Sequence, residues 1–81
     1  MFIKLRFDNF GWWDAKSKAK LAGLKADEPG WYVTSEPTLQ SPMQCPYFVP
    51  DATTADEAVT AGLPREIADR GRVMTPAALL N

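Results

Sequence analysis

The residue types most able to hold a partner stand together early in the chain, in DNFGWWDAKSKAK (8–20). Trp12 and Trp13 are adjacent, and lysines follow at every second position. Two consecutive residues at a turn point in different directions, so one small core does not readily take both indoles. We therefore expect at least one of them at the surface, where tryptophan is enriched in binding sites. The sequence predicts a partner-binding surface that includes Trp12, Trp13, Lys16 and Lys20.

Two further aromatic pairs extend this prediction. Trp31 and Tyr32 stand on a predicted strand, so their side chains face opposite sides of the sheet, and Tyr47 and Phe48 repeat the arrangement. Such a number of rings exceeds what one face of a small sheet can bury, and surplus apolar surface is typical of contact with another macromolecule. The outer member of the Trp31 and Tyr32 pair is therefore added to the predicted surface.

Nucleic-acid binding is the first alternative for the same segment. The tryptophans would stack on bases while Lys16 and Lys20 contact phosphates. Lys18 and Lys25 lie on another flank of the helix, so the lysines do not form one stripe. The net charge is −1, from nine basic and ten acidic residues, whereas nonspecific nucleic-acid binders usually carry a basic excess.

A second arrangement for nucleic acid lies in TADEAVTAGLPREIADRGR (54–72). The spacing of Ala58, Gly62 and Leu63 resembles the turn of a helix-turn-helix motif. In that interpretation a reading helix directs three arginines toward DNA, namely Arg65, Arg70 and Arg72. The competing interpretation, which we favour, is a pair of short helices that covers a sheet.

Catalytic and metal-binding residues are scarce. The chain contains no histidine, which removes the commonest general base near neutral pH and every histidine-based triad. Its one cysteine, Cys45, has no positive neighbour in sequence and is predicted to be an inert apolar residue. DATTADE (51–57) lacks the glycine and the final glutamate of a calcium loop. The sequence therefore predicts a protein that is not an enzyme and that uses no metal or cofactor.

The alternation of polarity, the helix caps and the prolines predict the strands and helices that must position these residues. FIKLRFD (2–8) alternates in polarity and predicts a strand with one buried face. Asp14 caps a predicted helix over 15–24. Its alanines share one narrow face that would approach a sheet closely, and Leu21 and Leu24, on nearly the opposite side, would cover a second surface. Strands follow over 30–35 and 47–50, and Pro46 suggests an edge position or an irregular entry for the second of these.

The last third of the chain predicts short helices. Thr54 and Glu57 form a capping box for a helix to about Ala61, and a second helix covers 64–70. A brief strand over 72–74 and a helical turn after Thr75 complete the pattern. The resulting fold class is α+β: a single domain over 1–81, with an antiparallel sheet of about three strands and two to three short helices on one face.

Size and composition set the remaining expectations. A chain of 81 residues with one cysteine forms no intramolecular disulfide and no large core. The first residues lack the long apolar run of a signal peptide, and no segment is apolar enough for a membrane span. These features favour a cytoplasmic protein.

The sequence therefore favours a small protein-binding module, accessory or inhibitory, of the kind that bacteriophages encode against host enzymes or defence systems. Nucleic-acid binding is one alternative. A structural homo-oligomer is another, in which the first strand or the proline-flanked strand pairs with a second copy, for example in a homodimer.

Overall fold

Four short strands form one antiparallel sheet in the computed structural model, which describes residues 1–34 and 46–81. The strands are β1 (Ile3–Lys4), β2 (Gly30–Thr34), β3 (Pro46–Pro50) and β4 (Arg72–Met74). Their order across the sheet is β1-β3-β2-β4. The α+β fold class is confirmed, and the brief strand predicted over 72–74 joins the sheet as β4, so that the described residues form four strands where about three are predicted. Cys45 and the proline-rich segment before it lie outside the described residues.

Within the described ranges, four helices accompany the sheet: α1 (Ala15–Ala22), α2 (Ala55–Thr60), α3 (Arg65–Ala68) and α4 (Pro76–Leu80). Side chains cap three of them, because Asp14, Thr54 and Thr75 each accept a hydrogen bond from a backbone N–H in the first turn. The capping box at α2 differs by one residue from its prediction. Glu57 reaches back to the N–H of Thr53, which adds its own hydroxyl to the same carboxylate oxygen. No helix in the described ranges is long and apolar enough to cross a membrane.

The helices cover both faces of the sheet, and the predicted one-sided arrangement is wrong. One core cluster joins Val33 and Val49 to side chains of α2 and α3. The other joins Leu5 and Phe48 to side chains of α1 and α4, including Leu21. The cause lies in the strands, since alternate residues of β2 and β3 are apolar on each face and both faces gain by leaving water.

Helix α1 packs through its leucine side, and the expectation that its alanine face approaches the sheet is wrong. Its alanines are exposed, whereas Ser17 and Leu21 are buried and Leu24 is half-buried. A leucine removes more apolar surface from water than an alanine does. The buried Ser17 hydroxyl is satisfied because it accepts the backbone N–H of Arg6 at 2.8 Å. This bond also ties α1 to the chain that continues from β1.

Strand β3 lies inside the sheet, between β1 and β2, so the edge position suggested by Pro46 is wrong. Pro46 and Pro50 are the first and last residues of the strand, where a missing N–H interrupts little of the ladder. The Pro46 carbonyl accepts the N–H of Leu5 at 2.9 Å. Strand β1 therefore occupies one side of β3 over residues 46–48, and β2 occupies the other side over its whole length.

Candidate functional site

The segment that follows β1 folds back on itself as a small hairpin. Phe7 and Trp13 form an antiparallel bridge. On either side of it, the Asp8 N–H donates to the Trp12 carbonyl at 2.6 Å, and the Asp14 N–H donates to the Arg6 carbonyl at 3.0 Å. Residues 6–14 therefore form a continuous unit, which we call the aromatic hairpin, and residues 8–12 are its tip.

One carboxylate fixes the shape of the tip. Asp8 Oδ1 accepts the backbone N–H of Phe10 at 2.8 Å and that of Trp12 at 3.0 Å. Gly11 adopts a φ of 79°, a left-handed conformation that glycine enters without strain. The turn is thus defined by local hydrogen bonds, so little backbone entropy remains to be lost when a partner binds.

The tip presents two aromatic rings to solvent. Phe10 is 94% exposed and Trp12 is 52% exposed. Sequence reasoning included Trp12 in the predicted surface but missed Phe10. The signal was available, because Phe10 lies between Asn9 and Gly11 in a turn, where a side chain has no neighbouring element to pack on.

Trp13 belongs to the core and not to the surface. It is 7% exposed, and its ring stacks on Phe7 with centroids 4.7 Å apart. Its indole Nε1–H donates to the carbonyl of Leu79 in α4 at 2.7 Å. The adjacent tryptophans therefore point in opposite directions, Trp12 toward solvent and Trp13 toward the core. Trp13 stabilises the hairpin and is not part of its exposed surface.

A basic groove begins at the base of the aromatic hairpin. Its cavity of about 610 Å³ lies between β1 and the first turns of α1. Four cationic side chains line it, namely Lys4, Arg6, Lys16 and Lys20. Sequence reasoning predicted Lys16 and Lys20, and the structure brings them together. It missed Lys4 and Arg6, although the alternation of FIKLRFD places both on the solvent side of that segment.

Among the residues that the structure describes, Asp14 is the one carboxylate that lines this groove. Hydrogen bonds from Ser17, chiefly from its backbone N–H, lower the pKa of Asp14 below its ordinary value. Asp14 therefore stays ionised at neutral pH and offsets part of the positive charge. Antiparallel pairing places Arg6, Asp8, Trp12 and Asp14 on the outward face of the hairpin. The aromatic tip and the basic groove therefore form one contiguous surface, which mixes cations with carboxylates.

Trp31 and Tyr32 do not join this surface. Trp31 is half-buried against α3, where its Nε1–H donates to the Ala68 carbonyl at 2.8 Å. A side chain at Gly71 would collide with the Trp31 indole, so the close approach requires glycine there. The Tyr32 ring lies on the other face of the sheet, nearly perpendicular to the Trp13 ring with centroids 6.2 Å apart. Coverage of both faces explains why neither ring is the exposed member that the sequence predicts.

The C-terminal arginines do not form a reading helix. Helix α3 has four residues, and together with α2 it packs on the sheet through Ala58, Leu63 and Ala68. The interpretation of this segment as a helix pair covering a sheet is confirmed. The Arg65 guanidinium lies 2.7 Å from Asp56 and 3.4 Å from Asp69, and hydrogen bonding to Asp56 raises its pKa.

Metal-ligand clusters are absent from residues 1–34 and 46–81, where no group of three or more Cys, Asp or Glu residues could hold an ion. The sequence matches no protein-family model, and neither the curated proteins nor the solved structures gave a significant match. The fold and the surface define the class: a small α+β domain that presents a rigid aromatic tip beside a basic groove.

Proposed function

We propose that this protein is a non-enzymatic protein-binding module, of accessory or inhibitory type. The observation that carries the proposal is the exposure of Phe10 and Trp12 on a tip whose backbone is held by Asp8. Exposure of large apolar rings to water is unfavourable, so their burial in a partner lowers the free energy. Because the turn is already held in one conformation, its backbone loses little conformational entropy on binding. Tryptophan in particular is enriched at the energetic centre of protein interfaces.

The partner that fits this surface is a protein with an apolar pocket bordered by acidic residues. The two rings fill the pocket, and the cations of the basic groove face the acidic border. Such a pattern steers association and selects the partner. A cytoplasmic location and an origin in a bacteriophage, acting on a host enzyme or defence system, are consistent with the size and composition of the chain.

The test is affinity capture from the source organism with four forms of the protein. Phe10→Ala and Trp12→Ala each remove one tip ring, and Val73→Ala is the matched control, since Val73 is half-exposed on β4, away from the hairpin. We expect wild type and Val73→Ala to capture the same protein, and each tip variant to bind it more weakly by at least about 1 kcal/mol.

Thermal melting of the four forms separates binding from folding. The tip variants should melt close to wild type, because their rings lie largely in solvent. Equal capture by all four forms would reject the proposal. Loss of capture accompanied by unfolding would leave the tip without a specific role and would count against it as well.

Nucleic-acid binding is the second candidate, and the four cations of the basic groove favour it. A strand that ran from the groove to Trp12 would combine phosphate contacts with stacking on an aromatic ring. Asp8 and Asp14 lie along that path, however, and would repel phosphates. Titration with single-stranded oligonucleotide at two salt concentrations distinguishes the candidates, because phosphate-driven affinity falls steeply with salt.

A further inference from the structure

A second cationic cavity lies far from the hairpin in sequence, at the place where β2 extends beyond β4. The register pairs Tyr32 with Arg72 at the start of β4, and β2 continues to Thr34 beyond that pair. The space beside the extension is a cavity of about 190 Å³ lined by Tyr32, Thr34, Arg70 and Arg72. It shares no lining residue with the basic groove.

The two arginines of this cavity differ from Arg65 in their surroundings. Arg65 is paired with two carboxylates. Within the described ranges, no carboxylate lies within ion-pair distance of Arg70 or Arg72. The Nε–H of Arg72 contacts the sulfur of Met74 at 3.4 Å, a weak acceptor that leaves the terminal N–H groups of the guanidinium to other ligands. Two neighbouring positive charges with no counter-charge among the described residues favour an anion between them.

The hydroxyl groups add a neutral donor. Thr34 Oγ1 and the Tyr32 hydroxyl are 3.1 Å apart and share one hydrogen bond. Each hydroxyl carries one proton, and whichever of the two donates, the other proton is left for a further acceptor. The cavity therefore offers guanidinium N–H groups and one O–H, and none of its lining residues in 1–34 and 46–81 is a carboxylate.

We propose that Tyr32, Thr34, Arg70 and Arg72 form a binding site for a phosphoryl group. Planar guanidinium forks match the oxygens of a phosphoryl dianion and can bind them in pairs. The cavity is smaller than the pockets that hold drug-sized ligands. It therefore fits a single phosphoryl group, either free or carried on an ester that extends into solvent.

The test is a titration followed by two-dimensional ¹H–¹⁵N NMR spectra at constant ionic strength. The ligands are inorganic phosphate, O-phosphoserine and acetate, with sodium chloride as the ionic-strength control. We expect phosphate and phosphoserine to shift the backbone amides of the four lining residues, and acetate to bind at least about tenfold more weakly because it carries one charge and two oxygens. Tighter binding of phosphoserine would identify an ester as the ligand, and equal binding would identify the phosphoryl group alone.

Variants make the assignment specific. Arg72→Gln and Arg70→Gln should each weaken phosphate binding about tenfold, because each removes charge-assisted hydrogen bonds, and Tyr32→Phe should weaken it less while keeping its ring in the core. Arg65→Gln is the control and should bind as wild type does. The proposal is overturned if acetate or chloride produces the same shifts, if Arg72→Gln binds phosphate unchanged, or if the shifts lie in the basic groove. Unaltered thermal melts for the arginine variants exclude unfolding as the cause of a lost shift.

Discussion

At the scale of single residues, neighbours in sequence hold unlike positions. Trp12 is half-exposed on the outward face of the aromatic hairpin, whereas Trp13 is buried between Phe7 and α4. Sequence reasoning predicted that the two indoles would separate, since consecutive residues at a turn point in different directions and one small core does not readily take both. It could not decide which faces inward, because that depends on the bridge between Phe7 and Trp13, which only the folded hairpin reveals.

The two tryptophans should respond oppositely to substitution. Trp13→Ala should lower the free energy of unfolding by about 3–5 kcal/mol, because it leaves a cavity beside Phe7 and an unpaired carbonyl at Leu79. Trp12→Ala should change it by less than about 1 kcal/mol. Urea unfolding followed by far-ultraviolet circular dichroism measures both. Similar losses in the two variants would contradict the assignment of Trp13 to the core and Trp12 to the surface.

At the scale of elements, local signals predicted the helix starts well and the packing poorly. Asp14, Thr54 and Thr75 cap the helices that the sequence assigns to them, because a cap is a contact between residues three apart. The buried face of α1 depends on a distant partner, the backbone N–H of Arg6, which Ser17 accepts. The inner position of β3 likewise depends on pairing with β1, far away in sequence.

The cap of α1 should make stability depend on pH. Hydrogen bonds lower the pKa of Asp14 in the folded protein. The ionised Asp14 therefore adds to the free energy of unfolding above the ordinary aspartate pKa. This stabilisation is lost as the pH falls through the lower pKa that Asp14 has in the folded protein. Glu57 has the same effect on stability, because hydrogen bonds from Thr53 lower its pKa as well. Glu28 acts in the opposite direction, because hydrogen bonding to Asp51 raises its pKa.

Asp14→Asn tests this dependence, since asparagine also caps helices but carries no charge. We expect the variant to be less stable than wild type at pH 7, and the difference to shrink as pH falls below about 4. Urea unfolding at pH 7 and pH 3 measures it, with Asp27→Asn in the turn after α1 as the control. A difference between variant and wild type that is unchanged at pH 3 would show that the charge of Asp14 does not stabilise the cap.

At the scale of the whole molecule, a net charge of −1 conceals an uneven distribution. Four cations gather at the basic groove beside α1, and Arg70 and Arg72 share a second cavity. Carboxylates are concentrated around α2 and α3, for example at Asp56 and Glu57, where they line a third cavity. Composition alone could exclude a protein that is strongly basic overall, but it could not reveal a local basic patch. The four cations of the basic groove come together only when the segment around β1 packs beside α1.

This distribution predicts different kinetic effects for the two parts of the proposed protein-binding surface. Lys16→Glu should slow association with the captured partner, most strongly at low salt, because steering acts before contact. Phe10→Ala should mainly speed dissociation, because apolar contacts form only in the complex. Surface plasmon resonance at two ionic strengths measures both rates. Lys18→Glu, on another flank of α1, is the control, and an equal effect of both lysine variants would contradict a role for the groove.

The hydrogen bond from Trp13 to Leu79 joins residues that are 66 positions apart. Helix α4 therefore supports the aromatic hairpin, whose tip carries Phe10, through this bond. We therefore expect a shortened chain that ends before α4 to bind the proposed partner more weakly. Every ring and lysine proposed to contact that partner would still be present in it.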